Sequence, residues 1–287
     1  MSDLVNSHSA IDALPPLREV ISSNDLRAEK AFGQNFLLDL NLTGKIAKQA
    51  GDVTNAHVLE IGPGPGGLTR ALLKTNCKQV TAIEIDPRAV NALQSLVTAG
   101  MGRLSIVQSD ALALNIAELM PEGPRYIVAN LPYNVATPLL IGWLKLIYDQ
   151  PDFLNGMVLM FQKEVAERII APVGSESYGR LGIVSQWLCK TSKCFDLPPG
   201  AFTPPPKVTS SVVKFVPQIP AKKPRFETLE QLTSLAFQQR RKMLRNPLKA
   251  YLNEMEQVGI SPETRGERVP VEQWLDLALA VEARKKL

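Results

Sequence analysis

Histidine is almost absent from this chain: only His8 and His57 occur in 287 residues. A catalytic triad or an imidazole-based metallohydrolase needs a histidine with partners around it. His8 lies in a polar leader and His57 opens a strand-like run, so neither suits that role. Cysteine is scarce too. Cys77, Cys189 and Cys194 are odd in number and lack metal-finger spacing, so neither a disulfide framework nor a structural metal site is expected. No apolar run reaches the roughly 18 residues of a membrane span, and no basic-then-apolar signal opens the chain. The expected setting is the cytoplasm, away from membranes.

What remains is ordinary globular composition, 45% hydrophobic and 21% charged. The length suits one large domain plus a small one, or two of medium size. The net charge of +4 hides an asymmetry: residues 1–200 carry 17 Lys/Arg against 19 Asp/Glu, and residues 201–287 carry 15 against 9. A basic last third hints at a polyanionic partner.

Residues 1–16 are polar and end in Leu14-Pro15-Pro16, which predicts a flexible leader. A loop, Ala31 to Leu37, then precedes a helix capped by Asp39. From His57 the rhythm becomes strand and helix in alternation. Strands are expected at 57–61, 80–85, 104–108, 126–129 and 156–161, with helices at 67–74, 88–97, 116–119 and 138–147. Such βαβ units imply an α/β fold with a doubly wound, largely parallel sheet. After Lys190 the beat is lost except for a strand-like run, 211–216. Pro217, Pro220 and Pro224 then form a stiff linker before a helical remainder in which Asn246-Pro247 ends one helix and starts the next. The expected domains are therefore 17–216, a linker at 217–224, and a small helical domain at 225–287.

The strongest local signal is Glu60-Ile61-Gly62-Pro63-Gly64-Pro65-Gly66-Gly67, directly after the first alternating strand. Glycines there let the backbone approach a ligand at the carboxyl edge of a parallel sheet. Glu84, ending the next strand, sits where a carboxylate takes ribose hydroxyls. This much fits NAD and S-adenosylmethionine equally. Asp110, after the third strand, suits an adenine amine, although Asp at a strand end is commonly a turn or cap residue. Asn130-Leu131-Pro132-Tyr133 is more specific. A nucleobase amine is a poor nucleophile because its lone pair is delocalised, so methylating it requires its N–H groups to be held and its lone pair aimed. The Asn130 side-chain oxygen and the Leu131 carbonyl can accept those N–H groups. Pro132 stiffens the turn and Tyr133 offers a stacking ring.

These segments together resemble the small-subunit (16S) rRNA adenine-N6,N6 dimethyltransferase family, KsgA/RsmA. The resemblance rests on Phe32-Gly33-Gln34-Asn35-Phe36-Leu37, Glu60 to Gly67, Glu84-Ile85-Asp86, Asp110-Ala111 and Asn130 to Tyr133. It continues through 162–168, 177–181, 202–208, 237–246 and 265–268, covering the chain from about residue 27 onward. Ala129 stands where Gly is usual, and Thr209 where a charged residue is common. The resemblance implies a Rossmann-like class I S-adenosylmethionine-dependent methyltransferase domain with a small α-helical C-terminal domain. It implies cofactor contacts at Asn35, Leu37, Glu60, Gly62, Gly64, Glu84, Asp110 and Asn130. The target amine would meet Asn130 and Leu131, with Tyr133 and Phe202 as stacking rings. The implied substrate is two adjacent adenosines in the 3′-terminal hairpin loop of 16S rRNA, within an assembling 30S subunit.

Arg240, Arg241, Lys242, Arg245 and Lys249 meet no acidic residue between Gln231 and Asn253. Cations near a helix end complement its dipole, but this surplus exceeds that need, and Arg241 and Arg245 at i, i+4 would share a helical face. Contact with RNA phosphates is expected. Two other classes stay open: an NAD-dependent oxidoreductase on the same glycine loop, and a non-catalytic ribosome-assembly factor. A 23S rRNA adenine methyltransferase is the nearer alternative, against which the 240–246 and 265–268 segments speak. Nothing suggests more than a monomer.

Overall fold

In the computed structural model the described residues are 2–26 and 34–284. Phe32 and Gly33 of the leading motif lie outside the described residues. Nine strands run in chain order among the described residues: β1 Phe36–Leu37, β2 His57–Ile61, β3 Gln79–Glu84, β4 Leu104–Gln108, β5 Arg125–Ala129, β6 Gly156–Gln162, β7 Cys189–Leu197, β8 Phe202–Thr203 and β9 Ser210–Pro217. Seven of them form one sheet in the order β4-β3-β2-β5-β6-β9-β7, while β1 and β8 make a separate antiparallel ribbon. Strands β2 to β6 pair in parallel, and β9 returns antiparallel to β6. Every residue of β2 is buried, as expected of a strand covered on both faces. Because β3 and β5 flank β2 on opposite sides, the chain reverses its direction of winding there, which opens a crevice at the carboxyl ends of these strands.

Several expectations need correction. The supposed flexible leader contains a helix, Ser2–Asp12. Ile11 is buried in the main core with Ala10 and Leu14 against the same cluster, and the Ser7 hydroxyl donates to the Ala99 carbonyl at 3.2 Å. Burying Ile11 alone contributes about 2 kcal/mol. The helix expected at 88–97 is two, Pro87–Ala92 and Gln94–Ala99, joined at the fully buried Leu93. The helix expected to start at Pro138 runs from Tyr133 to Asp149 with Pro138 inside it. The carbonyl left without an N–H partner belongs to Asn134, an exposed residue that water can serve. No helix starts at Pro247; a short 3-10 turn, Lys249–Tyr251, precedes the helix Leu252–Gln257.

The chain divides into two compact units whose boundaries differ from those expected. One comprises 1–143, 152–163 and 193–216; the other comprises 144–151, 164–192 and 217–287. The second unit recruits earlier segments because its helices need apolar cover. Trp187 lies 5.3 Å from Tyr148 and 6.1 Å from Phe226, ring centre to ring centre, and its indole N–H donates to the Lys222 carbonyl at 3.0 Å.

Candidate active site

The carboxyl ends of β2, β3, β4 and β5 open onto one cavity of about 220 Å³ in the first unit. Asn35, Leu37, Glu60, Gly62, Gly64, Glu84, Asp110, Asn130, Leu131, Pro132 and Tyr133 all line it. Each strand thus delivers the residue that sequence reasoning singled out. The glycine loop sits tightly: a Cβ on Gly67 would stand 2.7 Å from the Leu37 carbonyl oxygen.

Glu84 is buried and accepts three backbone N–H groups, from Ile85 and Asp86 at 2.9 Å and from Gly64 at 3.1 Å. Burial raises its pKa, and those three donors oppose the rise. A carboxylate has about four acceptor positions, so Glu84 retains capacity for a ligand hydroxyl. Asp110 is exposed; one oxygen caps the Leu112 N–H at 2.9 Å, which leaves the other facing solvent or ligand. Neighbouring Asp86 is structural. Its burial works to raise its pKa, but the Arg88 and Gln34 hydrogen bonds outweigh that and hold it below the ordinary range.

Glu60 is the anomaly in β2: it is fully buried, and its Oε2 has no hydrogen-bond partner among the described residues. Burial, opposed in part by the Thr69 hydroxyl and reinforced by the nearby Glu84 charge, pushes its pKa from 4.5 to about 8, so it is largely protonated at neutral pH. The folded carboxyl therefore holds its proton more tightly than the unfolded one. The associated stability is complete below 4.5 and is lost as pH rises toward about 8. Glu60→Gln, which mimics the neutral form, should match the parent in melting temperature near pH 5 and exceed it by several degrees near pH 9. An identical difference at both pH values would refute this.

Asn130 is held by a single decisive contact. Its Nδ2 donates to the Asn35 carbonyl at 3.2 Å. A carbonyl can only accept, so the amide nitrogen must face Asn35, and Oδ1 is left as an acceptor at the cavity. Tyr133, which opens the following helix, presents its ring to the same cavity and shares a 2.6 Å hydrogen bond with Ser210. Sequence reasoning missed Ile85. The strand ends at Glu84, and Ile85 is left 46% exposed in the cavity wall, where it adds apolar surface. Its signal was an apolar residue immediately after the strand-ending carboxylate.

A family model described as ribosomal RNA adenine dimethylase matches residues 25–282. The chain belongs to the ribosomal RNA adenine dimethylase family. It is 52% identical over 275 residues to ribosomal RNA small subunit methyltransferase A of Paramagnetospirillum magneticum, covering 94% of this chain and 96% of that one. The protein of the same name from Brucella melitensis is 53% identical over 274 residues, covering 94% and 99%. Among solved structures, a dimethyladenosine transferase from Plasmodium falciparum superposes with a TM-score of 0.71 at 27% identity, covering 84% of this chain and 96% of that one. The 23S rRNA methyltransferase ErmE gives 0.64 at 25% identity, covering 86% and 100%. The fold is thus that of a Rossmann-like class I methyltransferase, and the oxidoreductase alternative falls. No helix among the described residues is long and apolar enough to cross a membrane.

Two sets of expected site residues of this dimethylase behave differently in the structure. Phe202 does not reach the cavity. It is 3% exposed, pairs with Leu37 across the β1–β8 ribbon and packs into the main core, so it presents no open ring face to a base. The basic cluster is not one helical face either, because the helix ends at Gln238 and residues 239–248 form turns. Arg240 is a brace: it donates to the carbonyls of Glu176 and Tyr178, the latter at 2.8 Å, and lies over the Phe237 ring. Arg245 is paired with Glu263 at 2.6 Å. Arg241, Lys242 and Lys249 are exposed and make no ion pair among the described residues.

Proposed function

We propose that this dimethylase converts two adjacent adenosines in the 3′-terminal hairpin loop of 16S rRNA to N6,N6-dimethyladenosine, acting as a single chain on an assembling 30S subunit in the cytoplasm. The observation that carries the reading is the fixed orientation of Asn130, which turns an acceptor toward the cavity. The much higher identity to small subunit methyltransferases than to ErmE supports a small-subunit target.

The cavity residues suit S-adenosylmethionine. The tight glycine loop leaves room for a ligand backbone-close, Glu84 and Asp110 retain acceptor positions, and Ile85 supplies an apolar wall. When bound, that cofactor supplies an electrophilic methyl group on a sulfonium. The Asn130 Oδ1 and the Leu131 carbonyl accept the two N–H groups of the target amine and hold its lone pair toward the cavity. Positive charge develops on that nitrogen during transfer, and the same two acceptors stabilise it. The Tyr133 ring stacks on the adenine and offsets part of the cost of drawing it from its hairpin, at about 1–3 kcal/mol. Positioning of this kind needs no strong base.

Methyl incorporation into unmodified 30S particles and naked 16S rRNA, followed by mass spectrometry of the 3′-terminal fragment, tests this reading. Two dimethyladenosines on the particle are expected; a 3′-terminal fragment that stays unmethylated on both substrates would sink it. The cations give a further prediction. Arg241→Ala and Lys242→Ala should each reduce the salt dependence of particle binding by about 0.7–0.9 of a unit in the log–log slope. Arg240→Ala should leave that slope unchanged but lower the melting temperature, because the Tyr178 carbonyl loses its partner. Equal slopes for all three variants would remove the phosphate role.

A further inference from the structure

Ser210 has no place in the cavity lining, yet it touches Tyr133, which does. It is the first residue of β9, pairs with Gln162 at the end of β6, and is completely buried. Its Oγ lies 2.6 Å from the Tyr133 hydroxyl. Burial raises the Tyr133 pKa against the opposing effect of the Ser210 contact, so the phenol keeps its proton and the bond persists at neutral pH.

We propose that Ser210 is a positioning residue for methyl transfer: it fixes the axis and tilt of the Tyr133 ring against which the target adenine stacks. The proposal rests on the stacking role given to Tyr133 above. Tyr133 sits at the first turn of its helix, where fewer intrahelical contacts restrain a side chain. Its ring is a lever, anchored at Cβ and free at the hydroxyl. Pinning the far end removes the swing about χ1, and the phenolic O–H prefers the ring plane, so the bond also favours one tilt. β9 is an interior strand of the seven-stranded sheet, which makes Ser210 a rigid anchor. The chemistry needs that rigidity most in the second transfer. After the first methylation the amine has a single N–H left for Asn130 and Leu131, so the stacked ring carries more of the alignment.

The test is a double-mutant cycle on the full chain with unmodified 30S particles, using Ser210→Ala, Tyr133→Phe and both together. Each single change should lower kcat about fivefold to tenfold, the worth of one buried hydrogen bond expressed in the rate. KM for the particle and affinity for S-adenosylmethionine should change less than about twofold, and N6-monomethyladenosine should accumulate. The double variant should be no slower than either single one. Multiplicative losses, or a Ser210→Ala enzyme with parental kcat and product ratio, would overturn the proposal. Tyr133→Ala separates the two levels: if it turns over at the parental rate, the stacking role itself fails. If it is slow while Ser210→Ala is unaffected, only the role of Ser210 fails.

Discussion

Asn130→Ala should reduce turnover by about two to three orders of magnitude while affinity for S-adenosylmethionine falls no more than about fivefold. The asymmetry follows from what each end of the amide does. The Nδ2 end secures the Asn35 carbonyl at 3.2 Å, an ordinary neutral hydrogen bond at the edge of the cavity. Its loss removes about 1 kcal/mol of loop order and weakens cofactor binding modestly. In the proposed role, the Oδ1 end faces a nitrogen that is neutral in the bound state and positive in the transition state. A contact that strengthens as charge develops lowers the barrier and leaves ground-state affinity nearly alone. Asn130→Asp provides the contrast. It keeps an acceptor toward the amine but sets an oxygen against the Asn35 carbonyl, so cofactor affinity should fall further than in Asn130→Ala. Single-turnover rates together with calorimetric titration of the cofactor measure both quantities. A parental single-turnover rate in Asn130→Ala would remove the residue from the chemistry.

The parts of the molecule that could be read in advance share a physical cause. Strands β2, β3, β5 and β6 lie in the parallel body of the sheet and are largely buried, so each shows as a short apolar run bounded by turn residues. The residues at their carboxyl ends could be placed because topology fixes where those ends converge. Strand β7 was invisible because it is a sheet edge. Its sequence, Cys-Lys-Thr-Ser-Lys-Cys-Phe-Asp-Leu, carries lysines that guard an open edge and little apolar alternation. The helix Ser2–Asp12 was masked by small and polar residues on its buried side, Ser7 and Ala10 beside Ile11. Other outcomes depend on contacts between segments far apart in sequence. Phe202 faces the core because β8 pairs with β1, and Arg240 is a brace because the 176–178 carbonyls meet it across more than sixty positions. Local pattern carries no trace of either.

Gly64→Ala should weaken S-adenosylmethionine binding by about 100-fold. At Gly64 φ is +53°, a region in which an L side chain costs about 1–2 kcal/mol. The added Cβ would also lie 2.9 Å from Cδ1 and Cε1 of Phe36, well inside contact distance. Phe36 cannot withdraw freely, since it is buried and its backbone is paired with Thr203 in the β1–β8 ribbon. The loop must shift instead, and the Gly64 N–H then loses the Glu84 carboxylate that it meets at 3.1 Å, worth about another 1 kcal/mol. Strain and lost contact together reach about 3 kcal/mol, which is the predicted factor. Gly102→Ala separates backbone strain from crowding. Gly102 has φ +82° with nothing within 4 Å of its would-be Cβ, so that variant should lose stability and keep cofactor affinity. Phe36→Leu introduced into Gly64→Ala removes the ring edge and should restore part of the lost binding. If the double variant binds no better than Gly64→Ala alone, the damage lies in the backbone of the glycine loop and not in its packing against Phe36.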